Sequence, residues 1–110
     1  MANAFKNKTQ RQIGTSLTAL ETYTVPGSTE TTIIGLTIAN TTTVAIEVDA
    51  TLNDGTNDFY IVKNAPVPAG GALVAVGGDQ KVVMMPGDSI KVKSDTATSA
   101  DVIMSILEIT

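Results

Sequence analysis

The sequence of 110 residues contains no cysteine, histidine or tryptophan. Disulfide frameworks, zinc sites built from Cys or His, thiol catalysis and every catalytic triad with a His base are therefore excluded. Only 4% of the residues are aromatic and 16% are charged, and the formal net charge is −4. We therefore expect neither a basic nucleic-acid-binding surface nor an enzyme, and we expect no cofactor, no bound metal and no small-molecule substrate.

Long apolar runs are absent as well. No stretch approaches the roughly 20 apolar residues that a membrane-spanning helix requires. The N-terminus begins Met-Ala-Asn-Ala-Phe-Lys and lacks the apolar segment of a secretory signal. We expect synthesis in the cytoplasm, with neither export nor membrane insertion.

The chain is instead rich in β-branched residues, with 17 Thr, 11 Val and 10 Ile. These residues favour strands. Turn signals recur about every 8–12 residues, a spacing typical of sandwiches and barrels. The sequence therefore predicts an all-β fold, an antiparallel two-sheet β-sandwich of jelly-roll or Ig-like strand order. Residues 21–110 are predicted to form this single domain, and residues 1–20 an extended N-terminal arm and lead-in.

Alternation of apolar and polar residues predicts which side chains face the core. It is clearest from Val44 to Leu52, and Asp54-Gly55 then favours a hairpin turn onto a strand at 59–63. The loop 53–58 also has oxygen ligands suited to calcium, but a turn is the better interpretation because the downstream Glu of an EF-hand is missing. The predicted inward set is Ile34, Leu36, Ile38, Val44, Ile46, Val48, Leu52, Ile90, Val92, Met104 and Ile106.

Three further segments carry distinct signals. Pro66 and Pro68 remove backbone donors, so residues 64–71 are predicted to leave the sheet and cross between sheets. Gly77-Gly78-Asp79 predicts a turn between two short strands. Residues 102–109 are apolar on both faces, so this strand is predicted to be central or to be covered by another chain.

The N-terminal arm differs from the rest of the chain in charge. Residues 1–12 carry three basic side chains and no acid, which leaves 4 Lys against 11 acids elsewhere. Opposite charge favours an arm that lies along an acidic neighbouring subunit. Binding of nucleic acid is a weaker alternative, because three charges without stacking aromatics give low affinity. The residues predicted to bind a partner are Phe5, Lys6, Lys8, Arg11 and Ile13.

Three stretches and the last strand carry a resemblance to a known class of proteins. The stretches lie at 23–40, with Tyr-Thr-Val-Pro-Gly-Ser-Thr and Thr-Ile-Ile-Gly-Leu-Thr-Ile-Ala-Asn, at 60–71, and at 81–92, with Met-Met-Pro-Gly-Asp-Ser-Ile. Together with Asp101-Val-Ile-Met-Ser-Ile-Leu-Glu-Ile, they resemble small β-sandwich virion proteins of tailed bacteriophages, including cyanophages. The resemblance spans about residues 21–109. It implies a structural protein of the virion, made in the host cytoplasm, that binds other virion subunits.

The resemblance leaves the position in the virion open. A capsid decoration or cement protein is the leading hypothesis, with a neck or tail component, or a glycan- or receptor-binding β module, as alternatives. Because the chain has few charges and an apolar last strand, we also predict a homo-oligomer, a trimer or part of a larger symmetric shell.

Overall fold

The computed structural model describes residues 3–77 and 80–110, so Met1, Ala2 and the predicted turn residues Gly78 and Asp79 lie outside the described residues. Within these ranges the chain forms nine strands and one short 3-10 helix, Leu20–Thr22, and no helix has the length and apolar character of a membrane span. The strands are β1 Asn3–Ile13, β2 Thr18–Ala19, β3 Glu30–Asn40, β4 Ile46–Asn53, β5 Asp58–Val67, β6 Ala72–Val76, β7 Val82–Met84, β8 Ser89–Ser94 and β9 Ala100–Ile109.

The strands form two antiparallel sheets, so the predicted all-β two-sheet sandwich is confirmed. One sheet has the order β1-β9-β3-β6, with β7 also paired to β3 beyond the end of β6. The other has the order β2-β8-β4-β5. β6 and β7 both pair with β3 and occupy one strand position in the sheet. With these two strands counted as one, the order is that of a jelly roll, one of the two alternatives that the sequence left open.

The core between the sheets follows the predicted alternation over most of its length. Eight of the predicted inward side chains are at most 1% exposed, namely Leu36, Ile38, Ile46, Val48, Ile90, Val92, Met104 and Ile106. The predicted antiparallel pairing of β4 with β5 is also confirmed.

Two predicted inward positions, Ile34 and Val44, are wrong. The register of β3 against β9 shifts between Ile33 and Gly35, so the bulge turns Ile33 into the core and leaves Ile34 only half-buried. Val44 is 58% exposed because β4 begins two residues later, at Ile46. Leu52 points inward as predicted, opposite Ile90, and packs against the core although it is only half-buried near the end of β4.

The segment 64–71 was predicted to lie outside the sheet, but β5 continues to Val67 and Pro66 lies opposite Glu47. The backbone N–H and C=O of Glu47 bind Asp95 instead of β5, so Pro66 needs no N–H at this position. A proline is tolerated there because β5 is an edge strand. The crossing between sheets is therefore limited to the residues between Val67 and Ala72.

The first twenty residues differ most from the sequence prediction. They were assigned to an arm outside the sandwich, whereas residues 3–13 form β1 and pair with β9 from Asn3↔Ile109 to Gln10↔Val102 without a register shift. Ile13 and Leu20 are each 1% exposed in the core. Consequently β9 is a central strand between β1 and β3, as one of the two predicted alternatives required.

Candidate interaction face

The outer side of the five-stranded sheet is built from residues that the strand register places side by side. Directly opposite residues of an antiparallel pair point to the same face of a sheet. The pairings of β1, β9, β3, β6 and β7 therefore produce three rows, which we call the outer sheet face. They are Phe5, Leu107, Thr32 and Val83; then Asn7, Ser105 and Gly35; then Thr9, Ile103, Thr37 and Val74.

The outer sheet face exposes large apolar side chains. Phe5 is 77% exposed, Val74 64%, and Val83 and Ile103 56% each. None of the residues in the three rows is charged. The middle row has only short side chains, and the sheet surface there contains a shallow depression of about 360 Å³ lined by residues that include Phe5, Ile34 and Ser105. A surface with several exposed large apolar side chains is typical of a binding site.

Charged groups lie at the two ends of the outer sheet face. Arg11 and Asp101 lie beyond the third row and line a second shallow depression. At the other end Glu30 lies opposite Ile109 and is exposed. Exposed apolar side chains with charged groups at the rim are usual in protein–protein interfaces.

The outer side of the four-stranded sheet has a different character. Lys91 lies opposite Thr51 and Lys93 opposite Asp49, so charged side chains occupy the middle of that face. The Lys93 Nζ lies 3.8 Å from the Asp49 Oδ2, and the Asn64 N–H donates to the Asp49 Oδ1 at 2.7 Å. Lys93 and Asp49 are thus paired within the chain, which leaves the outer sheet face as the stronger candidate.

A buried carboxylate fixes β1 to the body of the sandwich. Glu108 is 7% exposed, and its two oxygens accept from the Lys6 Nζ at 2.8 Å and from the Tyr23 hydroxyl at 2.5 Å. The Tyr23 hydroxyl also lies 3.1 Å from the Thr31 Oγ1. The Lys6 ammonium, and then the Tyr23 hydroxyl, lower the pKa of Glu108. Burial, reinforced by the hydrogen bond to Glu108, raises the pKa of Tyr23 to about 12.

Further side-chain contacts attach β1 to the rest of the chain. The Lys8 ammonium lies 4.8 Å from the centre of the Tyr23 ring, a cation–π geometry. The Thr9 N–H donates to the Glu21 Oε2 at 2.6 Å, and this hydrogen bond lowers the pKa of Glu21. The Gln12 N–H donates to the Asp101 Oδ1 at 3.0 Å. The basic strand is thus bound by acidic side chains of its own chain.

The five predicted partner-binding residues lie in three different environments. Phe5 lies on the outer sheet face and Arg11 at its rim, where both remain accessible. Lys6 and Lys8 make within the chain the charge contacts that the sequence assigned to a neighbouring subunit. The prediction that Ile13 binds a partner is wrong, because Ile13 is 1% exposed in the core and is not available to a partner.

Several residues of the face were missed from the sequence. Val74 and Val83 belong to short strands whose pairing with β3 is not visible in their own pattern. Ile103 and Leu107 did carry a signal, since the last strand is apolar on both faces. Two apolar faces predict that other residues cover β9, but they do not identify the strands that lie beside it.

The loop 53–58 behaves as the predicted turn. The Asp54 Oδ1 accepts from the N–H groups of Thr56 and Asn57 at 2.9 and 2.7 Å, and these backbone donors lower the pKa of Asp54. Across residues 3–77 and 80–110 the structure holds no group of three or more acidic side chains placed to bind a metal ion.

Comparison with known proteins yields a similarity of fold. No protein-family model matches the chain, and no curated protein matches it. Among solved structures, the chain is similar to a chain in the acidic stable capsid of Helicobacter pylori bacteriophage KHP30, with a TM-score of 0.57 and 9% sequence identity. The match covers 100% of this chain and 94% of that one, so the two chains are of similar length. At this identity the similarity establishes a shared fold.

Proposed function

We propose that this chain is a non-enzymatic structural subunit of a bacteriophage virion, and that it binds the capsid surface as a decoration or cement protein. The observation that carries the proposal is the outer sheet face, an uncharged surface with four large apolar side chains more than half exposed. A chain of similar fold and length in a phage capsid, and the resemblance of residues 21–109 to small virion proteins, support the same role.

The size of the face bears on how such a subunit would bind. Four strands about 4.8 Å apart and five residues at about 3.3 Å rise cover roughly 300 Å². A stable interface usually buries about 800 Å² on each partner. One copy would therefore bind weakly through this face alone, and attachment gains strength when many copies bind a repetitive shell together.

The proposal is tested by placing a charge on β9, a central strand of the outer sheet face. Ile103→Lys should weaken co-sedimentation with particles that lack the protein by about tenfold or more, because a charge would be buried against an apolar partner. Val44→Lys is the matched control, since Val44 is equally exposed, at 58% against 56%, but lies in the loop before β4. This control variant should bind like the unmodified protein.

Equal binding by both variants would contradict attachment through the outer sheet face. An electron cryomicroscopy map of the intact particle tests the position independently. Density on the capsid surface supports decoration, density at the neck or tail supports a structural role there, and absence from the particle contradicts the virion role altogether.

A further inference from the structure

The edges of the two sheets differ in how well they could accept another strand. Edge strands of soluble proteins are usually shortened, bulged or interrupted by proline to prevent pairing with other chains. Within the described residues, β2 has two residues, β5 contains Pro66 and two register shifts, and β6 has five residues with a register shift. In contrast, β1 pairs regularly with β9 from Asn3 to Gln10, and its lysines Lys6 and Lys8, which could otherwise discourage pairing, contact Glu108 and Tyr23 of the same chain.

Half of the outer edge of β1 is open. The Thr9 N–H points away from β9, because it donates to the Glu21 Oε2. Backbone direction alternates along a strand, so the N–H and C=O groups of Asn3, Phe5 and Asn7 also point outward. Glu21 and the 3-10 helix cover the edge at Thr9, and no described element pairs with the edge between Asn3 and Asn7.

We propose that this open edge pairs with the same edge of a second copy, antiparallel and centred on Phe5. In this two-fold register Phe5 lies opposite the partner's Phe5, and Asn3 lies opposite the partner's Asn7. All three positions have the outward backbone groups that a hydrogen-bonded pair requires. The two phenyl rings form a cross-strand aromatic pair on the outer sheet face, which adds to the backbone hydrogen bonds.

Charge and the position of Glu21 select this register. Centred on Phe5, the pairing places Lys6 opposite the partner's Ala4. Centred on Asn7 instead, it would place Lys6 opposite the partner's Lys8, and like charges in direct opposition are destabilising. That second register would also require the Thr9 N–H, which Glu21 already binds at 2.6 Å.

The contact joins the two five-stranded sheets edge to edge. Because the two-fold axis is perpendicular to the sheet, both outer sheet faces lie on the same side. Their combined area is roughly 600 Å², twice the estimate for one copy. The inference does not depend on the virion role, since it concerns only how two copies pair.

The absence of cysteine allows the pairing to be tested by single-site cross-linking. In the full-length protein Phe5→Cys should form a disulfide dimer under mild oxidation, since hydrogen-bonded antiparallel pairs have Cα atoms about 5.5 Å apart, within the range for a disulfide. Thr9→Cys is the matched control, on the same strand and face but away from the axis. We expect Phe5→Cys to cross-link about tenfold faster than Thr9→Cys, because paired thiols have a high effective concentration.

A second measurement does not alter Phe5. A mixture of Asn3→Cys and Asn7→Cys proteins should give the mixed dimer in preference to either homodimer, because residues 3 and 7 are opposite only in the register centred on Phe5. Equal rates for Phe5→Cys and Thr9→Cys, or no cross-linking of Phe5→Cys, would overturn the pairing. A statistical distribution of dimers in the mixture would overturn it as well, even if Phe5→Cys failed to fold.

Discussion

At the scale of single residues, Glu108 is the point where charge and folding are most closely coupled. Its carboxylate is almost completely buried, yet it remains charged because Lys6 and Tyr23 bind it directly. A buried charge is tolerated when its lone pairs are satisfied in this way. The same contacts attach β1 and the segment after the 3-10 helix to the last strand.

The pKa of Glu108 makes stability dependent on pH at the acidic end. Because the folded-state pKa lies below the ordinary value of 4.5, the stabilisation is complete above that value and is lost as the pH falls through the folded pKa. Tyr23 has the opposite sign. Its pKa is raised to about 12, so its contribution is present below the ordinary value of 10 and is lost as the pH rises towards 12.

We predict that Glu108→Gln lowers the free energy of unfolding by about 1–3 kcal/mol at neutral pH, because it removes hydrogen bonds to a charged acceptor. The difference from the unmodified protein should begin to shrink below pH 4.5, where the carboxylate of the unfolded chain takes up a proton, and should vanish below the lower pKa of the folded state. Urea unfolding at neutral and acidic pH measures both effects. Glu30→Gln, at an exposed position, should change stability by less than about 0.5 kcal/mol. A constant difference at every pH would contradict the assignment.

At the scale of elements, β1 is unusual because its attachment is mainly polar. From Asn3 to Gln12 none of its side chains is fully buried, and Ile13 provides the apolar anchor at its end. Pairing with β9 and contacts to acidic side chains fix the rest. Glu21, which caps the open edge at Thr9, adopts a left-handed backbone conformation with φ 50°. Such a conformation costs about 1 kcal/mol for a residue with a side chain, which the hydrogen bonds around Thr9 offset.

We predict that deletion of residues 1–12 lowers the free energy of unfolding by on the order of 2–4 kcal/mol, because several backbone hydrogen bonds and the Lys6 ion pair are lost together. The newly exposed edge of β9 should also promote association. Urea unfolding and light scattering measure the two effects. Lys6→Gln, which keeps the strand, should lose stability without the association. A truncated protein as stable as the full chain, and with no additional association, would show that β1 contributes little.

The elements differ in how well their sequences predict them. In β8 and most of β4 polar and apolar residues alternate along the sequence, so alternation alone identifies Ile46, Val48, Ile90 and Val92 as core residues. In β3 the pattern is apolar on both sides of Ile33 and Ile34, and no periodicity indicates which of the two a bulge will turn inward. For β1, the inner face carries Lys6 and Lys8, whose charged ends reach Glu108 and Tyr23, so the strand has no apolar periodicity. Its partner is fixed by the tertiary fold alone.

The sequence predicts only part of the outer sheet face. Phe5 and the two apolar faces of β9 are visible in the sequence. The neighbours that complete the face come from β3, β6 and β7, and sheet order places them there. Sequence patterns give the faces of a strand but not the order of strands in a sheet, so Val74 and Val83 could not be assigned.

At the scale of the whole molecule, the strand order joins distant parts of the chain. The first strand pairs with the last, and β3 lies between the last strand and β6. The chain loses the entropy of closing these large loops before the paired strands stabilise it, and this slows folding.

We therefore predict refolding on the millisecond-to-second timescale, in contrast to the microseconds of proteins with local contacts. Stopped-flow dilution from urea, followed by tyrosine fluorescence or far-ultraviolet circular dichroism, measures the rate. The hairpin of β4 and β5 has a short loop and should form much faster when studied as a peptide. Refolding of the whole chain at the hairpin's rate would contradict the dependence on long-range closure.

The central position of β9 also has a consequence for biosynthesis. Between the end of β3 at Asn40 and the end of β9 at Ile109 the ribosome adds 69 residues, which takes roughly 3–14 s at about 5–20 residues per second. During this interval β1 and β3 have been synthesised, but the strand that separates them is not complete. Neighbouring nascent chains on one messenger RNA then carry the same unpaired strands at high local concentration, so the synthesis of β9 is the step that joins β1 and β3 within their own chain rather than with a neighbour.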